Sequence, residues 1–208
     1  MHAPVDGMDL PIVVISHRDG GWFGGHAALA RALAEAGMIA VAEPPRQLRG
    51  DETAPPSRWI MERPRQLARV VAYLSSDWHD ADLVDATRIG AFGFSAGGHS
   101  VLAAAGAETS LDRIVAHCDA APEVFVCRTG VVANVVAAAD PYPAPLPGPR
   151  AVVAAAPGFG FRFDPAQVAD PDIAIQFWGS AEDARLPEDT DIAPLGAALA
   201  PPSEAHVI

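Results

Sequence analysis

Residues Arg88 to Ser100 read RIGAFGFSAGGHS, and Gly93-Phe94-Ser95-Ala96-Gly97 within them has the form G-x-S-x-G. In that form a serine is held at a sharp turn between a strand and a helix, with its hydroxyl exposed. Gly93 and Gly97 stand two before and two after the serine, where a side chain would clash across the turn. A serine hydroxyl is a poor nucleophile at neutral pH unless a base takes its proton. The chemistry that would use Ser95 therefore needs a base, a carboxylate to orient that base, and N–H donors for a developing oxyanion. Ala96 follows the serine and supplies one such N–H; ISHRDGGW (Ile15 to Trp22) is the segment suited to supply the second. QFWGSAEDARLP offers the carboxylate, through Glu182 or Asp183. Each signal has a plainer counterpart: a glycine-rich or phosphate-binding turn, a Gly-Gly turn, and a solvated turn residue or helix cap.

Seven histidines are candidates for the base. His206 alone completes the order Ser95…Asp183…His206, although it lies within an apolar run rather than beyond its C-terminal end, where catalytic groups of open α/β sheets gather. His99, four residues after Ser95 on the next helix, points along that helix's flank. His26 belongs to the start of the first helix, His117 borders the candidate pocket, and His2 and His79 read as surface residues.

Short apolar runs alternate with helix-like stretches, the pattern of a parallel sheet covered by helices on both faces. Expected strands are Pro11–Ser16, MIAVAEP (38–44), Arg88–Phe94, Arg150–Pro157, Ile173–Gly179 and the final EAHVI. Expected helices are Gly25–Ala36 ended by Gly37, Pro64–Ser75 with Pro64 in its first turn, Ala96–Ala105, a short one opened by Ser110, and Asp191–Ala200. RGDETAPPS reads as a polar excursion. The stretch 118–149 is irregular, a cap or loop insertion holding an Ala/Val-rich piece (131–139) and then DPYPAPLPGP, which suits neither a helix nor a central strand. The expectation is one α/β domain of about six mostly parallel strands over residues 1–208.

Fourteen basic against twenty-six acidic residues give a formal charge of −12. That field disfavours nucleic acid and anionic membranes as partners and favours neutral or cationic ligands over anionic ones. No apolar stretch reaches the length of a bilayer. MHAPVDGMDL has neither the basic n-region nor the apolar h-region of a secretory signal, so the default compartment is the cytoplasm unless an export segment precedes Met1. Cys118 and Cys127 are compatible with a disulfide or with two buried thiols.

These residues resemble the α/β-hydrolase superfamily, and within it the dienelactone hydrolase group related to platelet-activating-factor acetylhydrolases. PIVVISHRDGG is similar to that group's P-x-V-V-x-S-H-G-x-G-G, and RPRQLARVVAYL to R-P-x-D-x-x-x-x-L-D-x-L. GAFGFSAGG is similar to G-x-x-G-F-S-A-G-G, AHCDAAPEVFVC to a His-Cys…Cys stretch, and QFWGSAEDARLP to a strand plus D-x-x-x-P. The resemblance implies an esterase or lipase of small acyl groups working through an acyl-enzyme, without metal or organic cofactor. It makes Ser95 the nucleophile and Asp183, four before Pro187, the orienting acid. The N–H groups of Ala96 and Asp19 become the oxyanion hole, and His17 shapes that loop.

Three departures carry expectations of their own. Arg18 stands where the group has glycine, which implies either a remodelled loop or backbone strain at Arg18. The first strands of the group precede anything present here, which leaves MIAVAE as an exposed edge and predicts self-association. The group's catalytic histidine belongs to a G-x-G-H-like loop just after the strand that PPSEAHVI resembles, and Ile208 comes before that loop. Two readings follow: a serine ester hydrolase, impaired to the extent that the histidine is lacking, or an inactive fragment or degenerate relative that only binds.

Overall fold

The apolar run beginning at Leu10 is strand β1 (Leu10–Ser16) in the computed structural model, which describes residues 5–42, 59–128, 146–168 and 172–208. Isoleucine and valine dominate it, as befits a strand buried in a parallel sheet. Helix α1 (Ala27–Glu35) follows one turn of 3-10 helix (Phe23–His26), and Gly37, at φ 82°, terminates it. Strand β2 is Ile39–Ala42. Helix α2 (Trp59–Ser76) starts earlier than the sequence suggests, so Pro64 lies in its interior rather than its first turn. An interior proline removes one hydrogen bond at a cost of roughly 3 kcal/mol; the apolar stripe Leu67, Val71 and Leu74, buried against the sheet, offsets it.

Strand β3 (Val84–Phe94) leads directly into helix α3 (Ala96–Ala104), every residue of which is buried. Helix α4 (Leu111–Ala120) and a short helix Phe125–Arg128 give the start of the supposedly irregular stretch a regular backbone. Residues 131–139 and most of DPYPAPLPGP lie outside the described residues. Strands β4 (Pro149–Ala155), β5 (Ala174–Gly179) and β6 (Glu204–Val207) complete the sheet. Pro149 sits at the first position of β4, where a strand tolerates proline.

All six strands are parallel and lie in the order β2-β1-β3-β4-β5-β6. The chain is thus of the α/β class. One face of the sheet (Ile12, Val14, Ile89, Ala91, Val152, Ala154, Ile175, Phe177) packs with α2 and α3 into the main core. Helix α1 packs with β2, and among the described residues β2 lies at one edge of the sheet. The expected helix Asp191–Ala200 is instead two single turns, Glu188–Asp191 and Ala193–Gly196, broken at Ile192 with φ −122° and ψ −49°. Asp191, Ile192 and Leu195 are all buried. Among the described residues no helix is long and apolar enough to cross a membrane.

Candidate active site

Strand order reverses between β1 and β3: the chain runs outward from β1 to β2, then returns to β3 on the other side of β1. In open α/β sheets, ligand crevices form outside the carboxyl ends of the strands at such a switch point. Here those ends deliver Ser16-His17 from β1 and Ser95 from β3.

Ser95 occupies a backbone conformation that side chains rarely adopt, φ 56° and ψ −118°. Its surroundings over-determine it. Its N–H donates to Ala155 O at 2.9 Å, and its carbonyl accepts from His99 N at 3.2 Å and Gly158 N at 3.0 Å. A Cβ on Gly97 would fall on the carbonyl of Ser16, and one on Gly93 would fall on the carbonyl of Gly97. The two glycines therefore let β1, β3 and α3 close around the turn. Ala156 (φ 41°) and Phe159 (φ 60°) at the end of β4 are also left-handed. Strain of about 1–3 kcal/mol per residue, gathered in one place, marks functional turns more often than incidental ones.

The loop after β1 carries no left-handed strain at Arg18. The left-handed position is taken by Gly20 (φ 62°), and Gly21 N donates to Arg18 O at 3.0 Å to close a turn. His17 Nδ1 donates to the same carbonyl at 2.8 Å, while His17 O accepts from the buried Arg63 guanidinium at 2.5 Å. Burial pushes the His17 imidazole below its ordinary pKa. These bonds hold the loop that presents Asp19.

A pocket of about 120 Å³ opens on this arrangement, and Ser95, Ala96 and Asp19 all line it. Phe125 and Val126 form one wall; Gly158, Phe159 and Phe161 form another. Cys118 and Cys127 are joined in a disulfide, with Cα atoms 5.4 Å apart, which ties the Phe125–Val126 wall to α4. Both cysteines lie in helices rather than in a loop. His117, in α4, stacks flat behind Phe161 at 3.8 Å, and burial lowers its pKa.

Asp191, which sequence reasoning placed only at the start of a helix, also lines the pocket. Its Oδ1 accepts from Gly160 N at 2.7 Å, and its Oδ2 accepts from the Thr190 hydroxyl at 3.1 Å. Burial, followed by the nearby charges of Asp183 and Asp189, pushes its pKa up to about 6. A Cβ on Gly160 would collide with the Asp191 backbone, so the glycine is what lets the two loops meet. The alternating glycine and aromatic residues of GFGFRF were the legible sign of a close-packed loop there.

Asp183 follows β5, but its Oδ1 accepts from Arg185 N (2.9 Å) and Leu186 N (3.1 Å), fixing the turn that brings Leu186 to the pocket. His206 does not line the pocket. Strand register places Phe94, Ala155, Trp178 and His206 in one row across β3 to β6, so three strand spacings, roughly 14 Å, separate Phe94 from His206. There His206 stacks on Trp178 at 4.3 Å, with Nε2 3.1 Å from Glu204 Oε1. His99 is wholly buried beneath Phe159 and Phe163, 3.3 Å from the Arg162 guanidinium; burial and then that charge hold it well below the ordinary histidine pKa. Among the described lining residues there is no histidine.

No family model matches the chain, and no curated protein is significantly similar to it.

Proposed function

We propose that the chain is an α/β-hydrolase-type serine hydrolase acting on carboxylic esters of small acyl groups. The observation that carries this reading is the strained Ser95, held over a pocket at the switch point between β1 and β3. In the proposed mechanism Ser95 Oγ attacks the ester carbonyl as its proton leaves to a solvent water molecule. The N–H groups of Ala96 and Asp19 stabilise the resulting oxyanion. The C–O bond to the alcohol breaks, the alcohol takes up a proton, and water then hydrolyses the acyl-enzyme. A pocket of about 120 Å³ suits a short acyl group. Asp183 is placed by chain order as the acid that would orient a histidine.

With no histidine among the described lining residues, acylation of Ser95 is expected to be slow, driven by the two oxyanion N–H donors and by binding rather than by a strong base. The same observation favours a second reading, a pocket that binds ligands without turning them over. Hydrolysis of p-nitrophenyl acetate separates the two. The hydrolase reading predicts a rate above buffer that Ser95→Ala removes. Equal rates for the two proteins would leave only the binding reading.

A further inference from the structure

The Ser95 pocket has an unusual composition for an apolar site. Its charged lining residues, Asp19 and Asp191, are both acidic, and its walls include three phenylalanines, Phe125, Phe159 and Phe161. Among the described lining residues there is no Lys, Arg or His. Basic side chains around it have other engagements, and His117 stacks on the Phe161 ring. Arg162 places its guanidinium 3.3 Å from His99 and donates to Thr109 at 3.1 Å. Arg185, which is exposed, lies over the Phe125 ring, 5.3 Å from its centroid, and so takes one face of that ring.

Asp191 is the feature that decides the sign of the ligand. It is 3 % exposed, and the charges of Asp183 and Asp189 make its ionisation still less favourable. A carboxylate offers about four lone-pair directions; Gly160 N–H and the Thr190 hydroxyl account for two. A buried anion facing an aromatic-walled cavity attracts a cation that gives up its water easily, and it repels a carboxylate. Ring faces carry negative quadrupole density and favour the same ligand. A small hydrated cation such as ammonium loses too much solvation in such walls; a methylated ammonium does not.

We propose that this pocket recognises a quaternary or otherwise weakly hydrated ammonium group, held between Asp191 and the phenylalanine rings. Taken with the hydrolase reading, on which this extension rests, the substrate class is a small cationic ester whose carbonyl lies at Ser95.

Binding tests the recognition separately from the chemistry. Calorimetry on the Ser95→Ala protein would compare choline with 3,3-dimethylbutan-1-ol, its uncharged carbon isostere, and with 3,3-dimethylbutanoate. The expected result is choline bound at least about tenfold more tightly than the alcohol, with no detectable binding of the anion. Asp191→Asn keeps an acceptor for Gly160 N–H and should fold, while reducing the preference to less than about threefold. Phe125→Leu, at a ring 42 % exposed, should also reduce it and serves if the aspartate variant fails to fold. Equal affinity for choline and the alcohol, no choline binding, or an undiminished preference in both variants would overturn the proposal. Selective choline binding by a wild-type protein that hydrolyses no ester would instead overturn the hydrolase reading and leave the ammonium site standing.

Discussion

Asp191 is held in its charged form at a stability cost that can be measured. Its folded pKa of about 6 lies above the ordinary 3.8, so the proton binds more tightly in the folded state. The associated stabilisation is fully present below pH 3.8 and is lost as pH rises through 6. A shift of this size corresponds to about 3 kcal/mol at most. Asp191→Asn removes the penalty, because an amide carbonyl still accepts from Gly160 N–H. The Thr190 hydroxyl, which also donates to Pro187 O, can then accept from the amide NH2. The expected outcome is a variant more stable than wild type by about 2–3 kcal/mol at pH 7.5, with the gap closing toward pH 4. Urea unfolding at several pH values reads this directly. A variant less stable at pH 7.5 would mean that Asp191 is kept for the fold rather than for a ligand.

The turn from β3 into α3 and the short helix Phe125–Arg128 are the elements that shape the pocket. Gly97→Ala drives a Cβ into the Ser16 carbonyl, a backbone group with nowhere to go. The expected loss is about 2 kcal/mol or more, with weakened ligand binding because β1 and α3 are pushed apart; unchanged denaturation would show that the turn yields. Replacing Cys118 and Cys127, nine positions apart, by serine opens the loop between them. That should lower stability by about 2–3 kcal/mol and raise KM more than it lowers kcat, because Phe125 and Val126 are wall residues rather than reacting groups. Equal changes in both constants would argue against that role. The β3–α3 turn was legible in the sequence because Gly93, Ser95 and Gly97 are close neighbours whose spacing follows from local sterics. The role of Asp191 was not legible, since it depends on Gly160, thirty-one residues away, and on Ile192 breaking an alanine-rich stretch that looks helical. Pro64 misled for a similar reason, because burial of distant side chains outweighed a local preference.

Across the whole sheet, the six parallel strands and their alternation with helices were readable from apolar runs, while the order in which they lie was not, being set by how crossovers pack. Among the described residues that order leaves β2 at one edge, with no further strand paired beyond it. Light scattering at high concentration is expected to show species above the monomer mass; a clean monomer would contradict it. The net charge of −12 opposes such association at low salt, so the oligomeric fraction should rise with ionic strength. The most direct measurement of all concerns Ser95. Acid quenching during turnover of p-nitrophenyl acetate, followed by peptide mass mapping, locates the acyl group. The chain contains no lysine, so few side chains compete for it. An acetyl group on the peptide containing Ser95, absent from Ser95→Ala, is the predicted result. Acetylation elsewhere only, or none, would contradict a serine hydrolase.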